Sequence, residues 1–487
     1  MVDYIEDELN MTLTENGATT YASTGSDCLD LFSAIGALRS ASDEEINKRF
    51  VRAYAEDKDI AMKLLFYARD IRGGLGERRV FRTILKRLAH DKCESVKKNM
   101  GLIAEFGRYD DLLVLMDTPC EDAMLELLKA QFDEDMRLLD EGRIVSLLGK
   151  WLPSVNASSA STRTVAMRVC KAFGLTAASY RKSLSMLRAK IKIIENNLRE
   201  MDYSFDYEKQ PSRAMYKYRA AFLRNDPIRY SQYLNDVESG HATMHTDNIM
   251  PYELVERFLE EGNRMSEGEI RAINAMWQSL PDYGGDENAI AVIDTSGSMY
   301  GGGIPMPGSV ALSLGLYFAE HNKGAFAGSF IAFSRKPKLI RIKGETFADK
   351  VRYLMTFNEV ADTNLEAVFE VILRAAVKNH VPQSELPKKL IIISDMEFNS
   401  CVNDASFTNF ENAKKRYAEY GYQLPKIIFW NVQSRRDNQP VKKNEQGVAL
   451  VSGLTPKLFD MVCGGVLDPY SFMMDVLGGE RYKGISA

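Results

Sequence analysis

The stretch that decides the fold is Ala289-Ile-Ala-Val-Ile-Asp-Thr-Ser-Gly-Ser-Met299. An apolar run ends abruptly at Asp294, and hydroxyls follow at alternating positions, Ser296 and Ser298. A short apolar run bounded by turn-formers reads as a buried strand. Gly297, between the two serines, lets the backbone curl around a small cation. One carboxylate and two hydroxyls in a single tight loop form an all-oxygen ligand set, which suits Mg²⁺ or Mn²⁺. Two further oxygen donors lie downstream, Thr363 in ADTNLEAV and Asp395 at the end of KLIIISD. Ligands of open α/β sheets gather beyond the carboxyl ends of the strands, so the three loops are expected to converge on one point.

Working outward from this run, strands are expected at 289–293, 326–333, 338–342, 389–394, 426–432 and 448–451, with helices at 309–320, 364–378 and 410–419. Strand-helix alternation of this kind implies a mostly parallel sheet covered on both faces. The second and third strands, joined by a turn around Arg335-Lys336-Pro337, read as an antiparallel hairpin edge. Upstream, from about residue 28 to 280, apolar residues recur at three- and four-residue spacing, as in DIAMKLLFYARDI and AMLELLKAQFDEDMRLL, the period of amphipathic helices. Ser42-x-x-Glu45 and Ser266-x-x-Glu269 mark helix starts as capping boxes. Helices of 10 to 20 residues joined by short turns read as stacked pairs in an irregular solenoid, without a fixed sequence period. The turn-formers of Pro281-Asp-Tyr-Gly-Gly-Asp286 set the boundary, giving a helical domain over 1–285 and an α/β domain over 286–487.

At Asp294, Ser296, Ser298, Thr363 and Asp395 the chain resembles the von Willebrand factor A family, whose metal-ion-dependent adhesion site reads Asp-x-Ser-x-Ser, then a Thr, then an Asp. The resemblance implies that these five residues ligate the metal and that a partner's acidic group takes the remaining position. Two departures are visible. Asp362 stands before Thr363 where the family often has Gly, and the later turn reads Ser394-Asp395-Met396-Glu397 in place of Thr-Asp-Gly. The extra acids would either strengthen metal capture or repel an acidic ligand. Taken alone, Asp294 to Ser298 also reads as a strand-to-helix turn with a serine cap.

Composition narrows the classes. The chain has 487 residues, enough for two or more domains, with 45% hydrophobic and 26% charged residues and a net charge of −5. Nucleic-acid binding therefore requires a local patch. The start, MVDYIEDELN, is acidic and unlike a secretory signal, and no apolar run reaches membrane-spanning length, so a cytoplasmic protein is expected. Cys28, Cys93, Cys120, Cys170, Cys401 and Cys463 are scattered, with no Cys-x-x-Cys pair, which argues against zinc and against a disulfide framework. His241 and His245 sit in a loop-like stretch without a metalloprotease pattern.

Local basic patches exist. Arg69 to Arg79, RDIRGGLGERR, interleaves arginines and glycines between two helices, so that Arg72, Arg78 and Arg79 form a phosphate site or pair with neighbouring acids. Residues 181–230 carry twelve Lys or Arg against six Asp or Glu. There Arg181, Lys182, Arg188, Arg213, Lys217, Arg219 and Arg224 are candidates for phosphates, with Tyr216, Tyr218, Tyr230 and Tyr233 as stacking platforms or simply packed residues.

RDIRGGLGERR, FGRYDDLL, KWLPSVN and QPSRAM, together with the metal-site domain, resemble the Ro autoantigen (TROVE) family, and more closely an uncharacterised Ro-like family ending in a von Willebrand A domain. The resemblance implies an all-helical, HEAT-like repeat array closed into a ring by a doubly wound A domain, with structured or misfolded noncoding RNA bound on the basic surface and through the hole. The leading expectation is a non-catalytic RNA-binding scaffold with a divalent-metal site. The alternative is an adaptor whose cation captures a partner's Asp or Glu. An enzyme is the weakest class, because no nucleophile elbow, Cys-His pair or phosphate loop is present in the sequence.

Overall fold

The computed structural model describes residues 10–261, 264–284, 288–333, 337–356, 364–399, 408–463 and 468–487. The chain opens with a hairpin of β1 (Met11–Leu13) and β2 (Thr19–Tyr21), paired antiparallel. A helical array follows: α1 (Asp27–Phe32), α2 (Asp43–Glu56), α3 (Lys58–Arg69), α4 (Arg79–Asp91), α5 (Cys93–Asn99), α6 (Ile103–Phe106), α7 (Tyr109–Leu112), α8 (Glu121–Asp140) and α9 (Leu148–Trp151). It continues through α10 (Ala160–Ala172), α11 (Ala177–Ile191), α12 (Ile194–Arg199), α13 (Ser212–Asn225), α14 (Pro227–Glu238), α15 (Pro251–Glu261) and α16 (Glu267–Gln278). Ser266 and Glu269 form the full reciprocal capping box at the start of α16, whereas Ser42 accepts from the Glu45 amide at α2. Asp57 serves both sides of one junction, ending α2 and capping α3 through the amides of Asp59 and Ile60.

The sheet domain contains β3 (Ala289–Ile293), α17 (Pro307–His321), β4 (Ser329–Ala332), β5 (Lys338–Arg341), α18 (Phe347–Met355), α19 (Leu365–Asn379), β6 (Lys389–Ser394), α20 (Asn409–Glu419), β7 (Lys426–Asn431), β8 (Val448–Ser452), α21 (Lys457–Cys463) and α22 (Pro469–Gly478). The strand order is β5-β4-β3-β6-β7-β8, parallel except for β5, which pairs antiparallel with β4. The turn expected at Arg335 and Lys336 lies outside the described residues. Within the sheet the order is 3-2-1-4-5-6, so the direction of winding reverses between β3 and β6.

Residue alternation along these strands distributes the core. Ala291, Ile293, Ile391, Ile393, Ile428 and Trp430 join a cluster that runs without a break into the helical array. Ile290, Val292, Leu390, Ile392, Ile427 and Phe429 face the other way, against α19 and α20. Strands apolar on both faces are the mark of a sheet covered on both sides.

Both ends of the array dock on this sheet domain. At the start, the Ser452 hydroxyl donates to the Phe32 carbonyl, 3.0 Å, and accepts from the Gly36 amide, 3.0 Å, while Phe32 meets Phe472 edge-on. At the end, Trp277 stacks on Phe347 with ring centroids 4.4 Å apart and donates its indole N–H to Glu320, 2.6 Å. The two ends also touch each other: Arg39 Nη1 donates to the Tyr252 hydroxyl, 3.2 Å, while its Nε bonds Glu77. The last residues cross back to the array, where Arg481 and the Tyr482 hydroxyl hold the fully buried Asp70. No described helix is long and apolar enough to cross a membrane. Cys28, Cys93, Cys120 and Cys170 are free thiols, and Cys401 and the Cys463 side chain lie outside the described residues.

Candidate cation site at the sheet rim

β3 and β6 lie side by side, in register from Ala289 against Lys389 to Ile293 against Ile393. β6 runs one residue further than β3, so Asp294 stands level with Ser394 and Asp395 follows just beyond it at the carboxyl rim, where the winding reverses. This is the crevice in which open α/β sheets collect ligands. Asp294 is fully buried. Its Oδ1 accepts from the Ser296 amide, 2.9 Å, and its Oδ2 from the Ser394 hydroxyl, 2.6 Å. The Ser296 and Ser298 hydroxyls are 2.9 Å apart, Ser296 precedes a short 3₁₀ turn over Gly297–Tyr300, and Met299 in that turn is buried. Gly302 and Gly303, on the way to α17, have φ of +114° and +112°, a region open to glycine. Thr363, the remaining sequence candidate, lies outside the described residues.

The electrostatics fit a cation. Burial first, and the neighbouring Asp395 second, push the Asp294 carboxyl up to about 6. Two buried carboxylates that repel each other, flanked by two adjacent hydroxyls, offer only hard oxygen donors, the set for Mg²⁺ or Mn²⁺. Among the described residues no cluster of three or more His, Cys, Asp or Glu is gathered as a metal site. A cation here would draw on hydroxyl donors as well as carboxylates.

The turn after β6 carries strain. Met396 adopts φ +66°, a left-handed conformation uncommon for a side-chain-bearing residue; its amide bonds the Ser394 hydroxyl, 3.0 Å. Glu397 donates its amide to Asp395 Oδ1, 3.1 Å, and turns its carboxylate inward, where Oε2 accepts from the Glu15 amide, 2.5 Å, and Oε1 is buried without a partner among the described residues. Burial, with repulsion from Asp395 added, raises the Glu397 carboxyl against the pull of that amide. Arg435, beyond β7, binds Asp395 Oδ2 through one guanidinium nitrogen and Glu15 through the other, 3.1 Å. Ser394, Arg435 and Glu15 were not candidates from sequence, and Glu397 entered only as one of the extra acids near the site. Of these, only the acid-rich turn at 394–397 carried a local signal.

The basic candidates divide into two groups. Arg78 pairs with Asp110, 2.8 Å, and Arg79 holds Asp43 and the carbonyls of Arg39 and Ala41. Arg188 ties α11 to the carbonyls of Gly149 and Leu152, and Arg213 pairs with Glu253. Arg219 is buried, donating to the Tyr216 carbonyl beneath the Tyr216 ring. Arg72, Arg181, Lys182, Lys217 and Arg224 are exposed. Tyr230 and Tyr233 are buried and pack around Tyr207, so their faces are already covered. At the start of α4, however, positive charge is in excess. Arg69, Arg78, Arg82 and Arg108 share Asp110 and Asp111. Burial and then repulsion from Arg82 and Arg108 lower the Arg78 pKa. Two shallow hollows of about 460 and 410 Å³, joined at Arg82 and Thr83, open beside this cluster.

The chain matches the model of a family described as "Domain of unknown function (DUF2828)" over residues 14–126 and 122–283, and that of "Domain of unknown function (DUF7788)" over residues 288–468. It is similar to the uncharacterized protein L728 of Acanthamoeba polyphaga mimivirus, at 29% identity over 508 residues, covering 96% of this chain and 87% of that protein. Among solved structures it is similar to the crystal structure of the Deinococcus radiodurans RO (RSR) protein, at 12% identity with a TM-score of 0.36, covering 90% of this chain and 92% of that one. A likeness of that size carries no argument about fold or function. The first match spans more than half of the chain, from the turn after β1 to the end of the helical array, so the protein belongs to the DUF2828 family, and its sheet half matches the DUF7788 model.

Proposed function

We propose that this is a non-catalytic binding scaffold whose sheet domain, of von Willebrand A type, holds Mg²⁺ or Mn²⁺ at its rim and uses it to capture an acidic group of a protein partner. One observation carries the reading: Asp294, Ser296 and Ser298 after β3 meet Asp395 after β6 at the reversal point of the sheet, all of them oxygen donors. A bound divalent cation would supply a Lewis-acidic position for a carboxylate. Asp294 would anchor it, its two oxygens oriented by the Ser296 amide and the Ser394 hydroxyl. The Ser296 and Ser298 hydroxyls contact each other and the Ser296 amide holds Asp294, a ligand pattern and not a nucleophile-base pair. In this reading the helical array is a HEAT-like ring closed by the sheet domain, with the boundary near residue 285, in a cytoplasmic protein.

A second reading, an RNA-binding scaffold for structured noncoding RNA, is favoured by the surplus of guanidinium groups over carboxylates at α4 and by the exposed Arg72, Arg181, Lys182, Lys217 and Arg224. Two titrations separate the readings. Isothermal calorimetry with Mn²⁺, with and without chelator, is expected to show a single site; no heat in metal-free protein would remove the cation reading. Binding of a hairpin RNA with a single-stranded tail, followed at several salt concentrations, is expected to weaken steeply with salt if phosphates are contacted. No retention at low salt would remove the RNA reading.

A further inference from the structure

The N-terminal hairpin is clipped onto the loop that carries Asp395. The Thr14 hydroxyl donates to the Phe398 carbonyl, 2.5 Å, Asn16 reaches the Glu397 carbonyl, and Gly17 forms an antiparallel bridge with Asn399. Between hairpin and rim stands Arg435, one nitrogen on Asp395 and the other on Glu15. Asp395 is wholly buried, while the Arg435 side chain keeps 28% exposure, so the guanidinium enters from the solvent side and has room to withdraw.

We propose that Arg435 is the resident counter-cation of the rim: it contends with a divalent cation for Asp395, so that loading the site loosens the N-terminal hairpin. The inference rests on the cation reading above. Asp395 Oδ1 accepts from the Glu397 amide and Oδ2 from Arg435, so a cation that draws on Oδ2 takes the oxygen the guanidinium holds. A guanidinium cannot relieve the repulsion of a neighbouring divalent ion by losing its proton, and like charges a few ångströms apart in a poorly hydrated rim repel strongly. Arg435 therefore has to withdraw. The other carboxylate it is paired with is Glu15, which lies in the hairpin loop and also donates its amide to Glu397. Withdrawal of the arginine pulls on the contact that fastens residues 14–17 to the rim. Arg435 is a positioning residue and not a ligand.

The test uses the full chain. Mn²⁺ affinity is measured by calorimetry for wild type, Arg435→Lys, Arg435→Gln and Glu15→Gln, and amide hydrogen exchange is followed over residues 11–21 with and without Mn²⁺. Arg435→Gln is expected to bind roughly tenfold more tightly, the scale of one charge-assisted hydrogen bond; Arg435→Lys should stay near wild type because it keeps the charge. Glu15→Gln, which removes the outer anchor and leaves the rim intact, serves if Arg435→Gln does not fold, and should move affinity in the opposite direction, because Arg435 is then left to Asp395 alone. In wild type, Mn²⁺ should speed exchange in the hairpin. Equal or weaker binding by Arg435→Gln, or a hairpin indifferent to Mn²⁺, overturns the contention while leaving the cation site standing. Absence of binding in every variant, wild type included, overturns the cation reading itself.

Discussion

Asp294 sits where its charge is least welcome, enclosed by the sheet and facing a second carboxylate. Its folded-state pKa of about 6 exceeds the ordinary carboxyl value, so the native state binds the proton more tightly than the unfolded chain. The stability this gives is present at acid pH and lost as pH rises from about 4 through about 6. Asp294→Asn removes that titration. In metal-free buffer at pH 7 the variant should be more stable than wild type, by on the order of 2 kcal/mol, in urea melts; Mn²⁺ should then raise the melting temperature of wild type alone. Asp294→Ala combined with Ser296→Ala is expected to abolish Mn²⁺ binding while the helical circular dichroism persists, and a wild-type titration from that variant would sink the site assignment. The alternating Asp-x-Ser-x-Ser spacing made this half of the rim legible, because the chemistry is packed into five consecutive residues. Arg435 and Glu15 were illegible for the opposite reason. Each stands in an ordinary polar loop, and only the fold brings them to Asp395.

At the scale of elements, the sheet was the most readable part. Strands buried on both faces are continuous apolar runs, and those at β3 and β6 begin and end where the runs do. The β1–β2 hairpin escaped notice because its strands are three residues each, too short to show a period of two. Much of its hold comes from distant groups: Tyr21 exchanges backbone hydrogen bonds with Gln439, and its hydroxyl donates to Glu411, 2.7 Å. The junction between α1 and β8 depends on one small residue. A Cβ at Gly36 would come within 2.5 Å of the Ser452 carbonyl oxygen, and backbone on both sides leaves nothing to move. Gly36→Ala should cost about 1–3 kcal/mol of unfolding free energy, the usual penalty of an overpacked contact, read from the denaturation midpoint. A variant as stable as wild type would mean that α1 and β8 can separate.

Across the whole molecule, the order of a helical array followed by an α/β domain could be read from the change in hydrophobic period near residue 285. Closure could not. It rests on pairs such as Arg39 with Tyr252 and Asp70 with Arg481, which leave no local pattern. Asp70 makes the closure measurable, since it is fully buried and Arg481 and Tyr482 are its partners from the far end of the chain. Removing residues 479–487 should cost about 3–5 kcal/mol, the scale for a buried charge stripped of its partner, and Asp70→Asn in the truncated chain should restore part of the loss. Because one apolar cluster runs from the array into the sheet, fluorescence and circular dichroism should report a single coincident unfolding transition. The tie between Thr14 and Phe398, 384 positions apart, has a consequence for synthesis. A ribosome delivers the hairpin early and its docking loop late, so the first strands must wait, unpaired with the rim, while the whole helical array emerges. Contacts at that sequence distance form slowly. The nascent chain thus passes through a long interval with an exposed strand edge, the condition under which a chaperone or a neighbouring copy on the same messenger competes for it.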